Sequence, residues 1–382
     1  MLRIDLFYAM ATMLVNFSWG VFFTFMTKYI GVELGGGEAA VVLFTGANWF
    51  YTLLGLFAGK VSSTIGERKT VLLGLFCSIP ILLGYFITDP HYLALTVSIA
   101  SFPWVLSWSA VLKAVFSLSS RDNMGRYYGK ITIGSGLGFF LGSIVTGLII
   151  AVLGLSGVYV VVVLTLTVSY LIYYYKYPTF ISESRVKNTS IVKITINLLP
   201  ALISLSLIVF IRELLYSLAP IKLNNSIEAL TLHIPKWLEY TIYGLIYSGG
   251  ALISPVARII AGKLVDKYGP LSVYISVVLS YTALYWAFGY SSGIIPVILW
   301  QIPLYPLLDT SFNVFVAMKL SSEELTSGFG LVYAFTAIGG LMLLPLLLLN
   351  ELNIVYIGIF VSAAGILSIL LILLSAYRNV IS

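Results

Sequence analysis

Long apolar runs separated by short polar turns constrain this chain more than any other feature. Runs of about 20 residues or more recur along its whole length, and each is long enough to cross a ~30 Å hydrocarbon core as a helix. Charged residues make up only 9% of the 382 residues, whereas a soluble domain carries about 25%. We therefore expect an all-α integral membrane protein with twelve spans. The predicted spans are residues 6–30, 39–61, 70–88, 92–118, 127–152, 156–177, 195–221, 240–263, 271–290, 293–319, 326–349 and 353–376.

A charged phrase occurs twice, each time between apolar runs. The first copy begins at Gly59 and the second at Gly262, and in each copy a second glycine follows seven residues later. Two repeated halves are typical of secondary transporters. The predicted parts are an N-terminal six-helix bundle at residues 1–177, a cytoplasmic linker at 178–194 and a C-terminal six-helix bundle at 195–382.

The basic residues gather on one side of the predicted membrane. Of the 21 Lys and Arg residues, 17 are assigned to the side that holds both termini, Lys113 and Arg258 among them. Because cytoplasmic loops are enriched in Lys and Arg, we expect both termini in the cytoplasm of a multi-pass protein of the cell membrane, surrounded by lipid. The same distribution accounts for the net charge of +6 without a nucleic-acid partner.

The repeated phrase resembles a hairpin motif of the major facilitator superfamily. The family pattern is Gly-x-x-x-Asp-(Arg/Lys)-x-Gly followed by basic residues. The second copy matches this pattern at Gly262, Asp266, Lys267 and Gly269. The first copy keeps Gly59, Gly66 and Arg68 but has Ser63 where the family has the acid.

A second pair of phrases is also similar to the family. One begins at Leu118 after the fourth span, and the other begins at Leu320 after the tenth. The resemblance covers the whole chain through its topology, but by motif it covers only these four short stretches. It implies two pseudo-symmetric six-helix bundles and a transporter that works by alternating access, and it says almost nothing about the substrate.

The resemblance also implies a conformational latch. In this family the hairpin acid contacts the N-terminus of a neighbouring helix and holds the cytoplasmic side of the outward-facing state closed. Asp266 would take this role, since a helix dipole favours negative charge at that end. Ser63 offers only a neutral hydrogen bond, so we expect a weaker latch in the first half. The alternative is that both hairpins are solvated turns that only set the topology.

Three ionisable residues stand out inside the predicted spans. Arg212 and Glu213 lie in the seventh span and Asp309 lies in the tenth. A charge there costs roughly 2.5–3.5 kcal/mol on insertion scales, so each is a functional candidate. If Arg212 pairs with Asp309, Glu213 keeps no fixed partner and can bind and release a proton. We therefore predict Glu213 as the proton-coupling residue and Asp309 as the second candidate; alternatively, the three residues only hold the two helices together.

The candidate substrate-binding residues follow from the resemblance, because the first, fourth, seventh and tenth helices of the family line a central cavity. These candidates are Arg212, Asn16, Trp19, Trp104, Ser107, Trp108 and Asn313. Aromatic walls suit a partly apolar solute or a sugar ring, and an arginine suits an anion. The alternative for each tryptophan is ordinary packing or contact with lipid.

Several other functions are disfavoured by what the sequence lacks. There is no phosphate-binding Gly-x-x-x-x-Gly-Lys-(Ser/Thr) loop, and His91 and His233 lie in separate predicted outer loops. We therefore expect no enzyme activity, cofactor or metal site, and an intramembrane enzyme or a transporter-like receptor is disfavoured. The sequence predicts a monomeric, proton-coupled secondary transporter of a small organic solute. The alternative that stays open is a proton-driven exporter of amphipathic compounds.

Overall fold

The computed structural model describes residues 2–178, 191–230, 236–343 and 354–381. Within these ranges the regular structure is entirely helical. Eight helices are long and apolar enough to cross a membrane, and they coincide with the first, the fourth to ninth and the twelfth predicted spans. The chain is therefore an all-α, multi-pass membrane protein, as the apolar runs predicted.

We number the helices α1 to α12 by the predicted span that each occupies. The residues before 179 are called the N-half, and those after 190 are called the C-half. In the N-half, α1 is Leu2–Lys28, α2 is Gly37–Leu53 with Leu54–Phe57 and Ala58–Ile65, α3 is Glu67–Leu72 with Leu73–Cys77 and Ser78–Gly84, α4 is Pro90–Ser98 with Ser101–Ser117, and α5 and α6 share Met124–Tyr175. In the C-half, α7 is Ile191–Leu230, α8 is Lys236–Tyr268, α9 is Pro270–Tyr290, α10 is Ile295–Trp300 with Leu304–Lys319, α11 is Leu325–Leu341 and α12 is Ile354–Ile381.

The other four predicted spans are interrupted or short in the described residues. Helices α2 and α3 contain a tighter turn of 3₁₀ helix, and α10 breaks before Leu304. Pro303 stands at this break, where its ring prevents a regular helical hydrogen bond. Helix α11 ends at Leu341, and residues 344–349 of its predicted span lie outside the described residues. Gly154, with φ 70°, separates α5 from α6.

The two copies of the repeated hairpin have the same backbone geometry. Gly66 has φ 87° and Gly269 has φ 83°, and each immediately precedes the next helix. Such positive φ values favour glycine because it has no Cβ. The first glycine of each copy serves close packing instead: a Cβ on Gly59 would collide with Ser327, and one on Gly262 would collide with the backbone of α5. We call the end of the bundle that carries these turns the hairpin end.

The halves meet along several helix pairs. Helix α5 packs against α8, and α2 packs against α11. At the hairpin end the Phe116 ring of α4 stacks between Tyr128 of α5 and Phe329 of α11, with centroid distances of 5.2 Å on both sides. This three-ring stack crosses from one half to the other. The space between the halves is therefore closed at the hairpin end and leaves a cavity deeper in the bundle.

Candidate functional site

A small cavity of about 80 Å³ lies between the two halves. At about 10–15 Å³ per water on this measure, it has room for roughly five to eight water molecules. Helices α1, α4 and α5 supply one wall, and α8, α10 and α11 supply the other. The lining residues are Val15, Asn16, Trp19, Trp104, Trp108, Tyr128, Thr132, Ser135, Arg258, Tyr305, Asp309 and Tyr333.

Asp309 lies at the polar centre of this cavity. Arg258 Nη1 donates to its Oδ2 over 2.8 Å, and the Tyr128 hydroxyl donates to the same oxygen over 3.0 Å. Asn313 Nδ2 donates to Oδ1 over 2.9 Å and to the Tyr128 hydroxyl over 3.1 Å. Arg258, Asp309 and Asn313 belong to the C-half, whereas Tyr128 belongs to the N-half. One carboxylate therefore holds a cation of its own half and a hydroxyl of the other.

Arg258 is a site residue that the sequence interpretation placed wrongly. It was assigned to a cytoplasmic turn, but its side chain is only 4% exposed and lies inside the bundle. Its Nε has no hydrogen-bond partner among the described residues, although it is buried. Lys113 was misplaced in the same way and is also buried. Both residues fall inside predicted spans, so their positions in the sequence already indicated burial within the bundle.

The sequence analysis made a Glu213 without a fixed partner depend on a pair between Arg212 and Asp309, and this pairing is wrong. Arg212 binds the neighbouring Glu213, with Nη2 2.6 Å and Nε 2.9 Å from Oε1. Asp309 instead has Arg258, which lies on a helix facing it. Glu213 is therefore engaged by a fixed cation and does not stand without a partner as predicted.

The two ion pairs flank one aromatic ring. The guanidinium carbon of Arg212 lies 5.5 Å from the ring centroid of Tyr305, and that of Arg258 lies 5.7 Å from the same centroid. Tyr305 nevertheless has 41% of its surface exposed. Tyr305 lies one helical turn before Asp309 in α10, so the cavity lining includes an exposed ring at this position.

The structure brings only some of the predicted substrate-binding residues together. Asn16, Trp19, Trp104 and Trp108 line the cavity. Asn313 contacts it through Asp309, while Arg212 lies behind Tyr305. Ser107 does not face the cavity, because its buried hydroxyl donates to the carbonyl oxygen of Val71 over 2.7 Å.

Aromatic side chains from both halves form the apolar part of the cavity. Trp108 Nε1 donates to the Tyr333 hydroxyl over 2.6 Å, which joins α4 to α11. The Trp104 ring meets Tyr333 edge to face at 5.5 Å and Trp19 at 6.5 Å. These rings are therefore arranged around a shared space, not scattered on the lipid-facing surface.

The hairpin acid Asp266 contacts the first turn of α5. Its two carboxylate oxygens accept hydrogen bonds from the backbone N–H groups of Gly125 and Arg126, over 2.9 and 3.0 Å. The Arg126 side chain adds an ion pair of 3.3 Å. Negative charge at a helix N-terminus is stabilised by the unpaired N–H groups and by the helix dipole. This contact crosses from the C-half to the N-half.

A different acid, at another position, makes the contact to the facing half in the first hairpin. Ser63 hydrogen bonds only to its own turn, at the carbonyl of Lys60. Glu67, four residues later, is buried and accepts hydrogen bonds from Ser62 over 2.9 Å, Lys113 over 2.6 Å and Thr326 over 2.9 Å.

Thr326 lies in the first turn of α11, in the opposite half. The first hairpin therefore also contacts the facing half through a carboxylate, which the motif comparison missed because it examined only position 63.

The predicted latch residues Arg68 and Lys267 do not cross between the halves. Arg68 donates from Nε to the carbonyl of Tyr174 and lies 4.3 Å from the centre of that ring, within the N-half. Lys267 lies over the ring of its neighbour Tyr268 at 4.8 Å. Both cations pack on aromatic rings at the hairpin end.

Metal-ligating side chains do not cluster in the part of the chain that the structure describes. No group of three His, Cys, Asp or Glu side chains lies close enough to hold an ion there. The cavity contributes one carboxylate, Asp309, and that group already receives Arg258.

The fold and the cavity place the chain among membrane transporters. The Major Facilitator Superfamily profile matches residues 8–344, and the chain belongs to this family. It is a transporter and not an enzyme. A comparison with curated proteins found no match.

Three solved structures illustrate the shared fold. A bacterial homologue of the iron transporter ferroportin, outward-facing with soaked iron, is 14% identical, with 98% of this chain and 99% of that chain covered and a TM-score of 0.71. FucP in its outward conformation is 13% identical, with 96% and 98% covered and a TM-score of 0.70. The human organic anion transporter MFSD10 (TETRAN) is 13% identical, with 98% of each chain covered and a TM-score of 0.63. At these identities the likeness shows the fold alone.

Proposed function

We propose that this protein is a proton-coupled secondary transporter in which the two halves rock around the central cavity and carry a small organic solute across the cell membrane. The observation that carries the proposal is the double engagement of Asp309 by Arg258 and by Tyr128 of the other half. Hydrogen bonds to an ionised group are roughly twice as strong as neutral ones. Protonation of Asp309 would weaken both contacts at once, and so would change the site and the contact between the halves together.

The contacts at the hairpin end support a state that is closed there. Asp266 binds the first turn of α5, Glu67 binds the first turn of α11, and the Phe116 stack lies between them. Tyr305, one helical turn before Asp309 in α10, is an exposed residue of the cavity lining. With the hairpin end in the cytoplasm, as the distribution of basic residues suggests, this is an outward-facing arrangement. Asp266 and Glu67 would then be the latches that open when the halves rock.

Asp309 is the better candidate for the coupling residue than Glu213. Asp309 lines the cavity and contacts both halves, whereas Glu213 lies behind Tyr305 and binds a cation one residue away. A proton on Glu213 would weaken its pair with Arg212, which lies within α7. A proton on Asp309 would change a contact that must break when the halves separate.

A second candidate function is the export of amphipathic compounds. Three tryptophans and three tyrosines line the cavity, and such a wall also accepts flat apolar molecules. Iron transport, which the ferroportin homologue suggests, fits this cavity less well. Divalent cations prefer several oxygen or nitrogen ligands, whereas here the single cavity carboxylate is bound by an arginine.

The test is solute transport by the full chain in proteoliposomes that contain a pH-sensitive dye. Organic acids, sugars, lipophilic cations and Mn²⁺ are added outside in turn, with protein-free liposomes as the control for passive entry. Proton flux with one class supports the proposal, and its sign separates symport from exchange. Entry of labelled solute without proton flux would make the protein a uniporter, and entry of no solute would contradict transport.

A further inference from the structure

We infer that the cavity binds a small monocarboxylate anion at the unused donors of Arg258, and that one proton on Asp309 accompanies each anion. This inference rests on the proposed function and specifies its substrate class and stoichiometry. Its starting observation is the buried Nε of Arg258, which has no hydrogen-bond partner among the described residues.

In the ion pair of Arg258 and Asp309, the carboxylate uses its hydrogen-bonding capacity more fully than the guanidinium does. A guanidinium has five N–H donors, and within the described part of the chain Arg258 donates only from Nη1, to Asp309. The Asp309 carboxylate, in contrast, accepts three hydrogen bonds, from Arg258, Tyr128 and Asn313. The cavity therefore has unused donors beside a well-satisfied acceptor. A ligand that brings acceptor oxygens fits it better than one that brings a positive charge.

A carboxylate matches the shape of these donors. Its two oxygens lie in one plane and can accept two parallel N–H bonds from a guanidinium. Ser135 and Asn16 line the same cavity. The Ser135 hydroxyl and the second Nδ2–H of Asn16, whose first donates to the Thr12 carbonyl, can bind further oxygens. The remaining walls are aromatic, so the body of the anion is apolar and short.

The formal charges link the anion to a proton. With Asp309 ionised, the positive charge of Arg258 is balanced, and an anion would add a net negative charge to a buried site. With Asp309 protonated, the anion balances Arg258 instead. Binding of anion and proton must then favour each other equally, because such linkage is reciprocal. One proton and one monoanion enter together from the solution and leave together on the other side, so the cycle moves no net charge.

Asp309 faces one cation and four neutral side chains. They are Arg258 of α8, Tyr128 of α5, Tyr333 of α11, and Tyr305 and Asn313 of α10 itself. Asp309 is the one carboxylate among the residues that line the cavity. Glu213 does not line the cavity, and Arg212 binds it.

Ligand binding to the purified full chain tests the inference with three probes of nearly equal size. Propionate, propionamide and propylammonium carry a negative, a neutral and a positive head on the same apolar body. Tryptophan fluorescence follows binding, since three tryptophans line the cavity, and an indicator dye in weak buffer counts protons. We expect propionate to bind at least about tenfold more tightly than either analogue, and its binding to take up close to one proton per anion.

Substitutions separate the parts of this mechanism. Arg258→Gln should abolish propionate binding, and Arg258→Lys should weaken it, because lysine lacks the planar fork. Asp309→Asn should retain propionate binding with no proton uptake and with little dependence on pH. Arg212→Gln is the matched comparison, since its guanidinium lies outside the cavity lining. The comparison uses variants that elute as monodisperse protein. If Arg212→Gln loses more propionate binding than Arg258→Lys, the assignment of the anion site to Arg258 is overturned.

The failure of this inference can be told apart from failure of the proposed function. If propionamide or propylammonium binds as well as propionate, the anion site is wrong. Proton-coupled transport of a neutral or cationic solute that still depends on Asp309 would then leave the proposed function intact. If no solute moves protons through the protein in liposomes, both proposals fail.

Discussion

The hydroxyl of Tyr128 and the carboxylate of Asp309 form a 3.0 Å hydrogen bond that joins the two halves of the chain. The same Asp309 oxygen receives Arg258 over 2.8 Å. A charge at the centre of the cavity and a contact between the halves therefore share one atom. In the proposed mechanism, a single proton on Asp309 would therefore affect ligand binding and conformation together.

Removing the Tyr128 hydroxyl should loosen the contact between the halves. A hydrogen bond to a charged group contributes about 1.5–3 kcal/mol, so Tyr128→Phe should shift the balance between the two states by roughly 10- to 100-fold. Spin labels at the exposed positions Thr64 and Lys263, one in each half at the hairpin end, would report a longer distance. Tyr127→Phe is the control, since that hydroxyl binds Asp5 within the N-half. Equal distances in both variants would contradict the prediction.

The buried pair of Glu67 and Lys113 should be costly to break. Both side chains are 1% exposed, and removing one partner of such a pair costs about 3–5 kcal/mol because the other charge stays buried. Glu67→Gln should therefore lower the thermal midpoint in detergent.

The double variant Glu67→Leu with Lys113→Met should recover most of that stability. It should still lose the contact to Thr326 and so favour opening of the hairpin end. A double variant no more stable than Glu67→Gln would show that the pair is not the source of the loss.

Asp266→Asn should open the hairpin end without unfolding the chain. Asparagine keeps the size of the side chain but loses the charge that the first turn of α5 stabilises. We expect the Thr64–Lys263 label distance to shift toward the open population. Glu324→Gln is the matched control, because Glu324 accepts hydrogen bonds only from Ser321 in its own turn. An unchanged distance in Asp266→Asn would exclude a latch at this hairpin.

Glu213→Gln should weaken transport but leave it coupled to protons. Its carboxylate neutralises Arg212, and the resulting unbalanced cation would lie near Tyr305 at the edge of the cavity. The measurement is the ratio of protons to solute in liposomes, which should stay the same while the rate falls. A ratio of zero would return the coupling role to Glu213, as the sequence alone predicted.

The membrane fold could be predicted because its signals are local and repeated. Apolar runs of helical length need no tertiary information, since backbone polar groups in lipid must be satisfied within the segment. The hairpin phrase also predicted the contact that Asp266 makes, because the resemblance implies that the acid between the two glycines meets the N-terminus of a neighbouring helix. The interruptions at α2, α3 and α10 were not predicted, since they depend on single turns within apolar runs.

The cavity could be predicted only in part. Trp19, Trp104 and Trp108 were found because the resemblance indicates which helices face inward. Arg258 was missed because every cation near the edge of a span was assigned to the loops. The enrichment of Lys and Arg in cytoplasmic loops cannot identify a buried cation whose partner lies on another helix. The pairing of Asp309 with Arg212 that the sequence analysis considered was also wrong. Pairing depends on which helices face each other, and α8 faces α10 here.

Proton movement measured in the Asp309→Asn variant tests the central claim most directly. Liposomes that contain the full chain and a pH-sensitive dye receive the solute that the wild-type protein carries, and labelled solute is counted in parallel. We predict that Asp309→Asn still exchanges solute between the two compartments but moves no protons with it, while Glu213→Gln moves both. Proton flux that persists in Asp309→Asn at the wild-type ratio to solute would contradict the account.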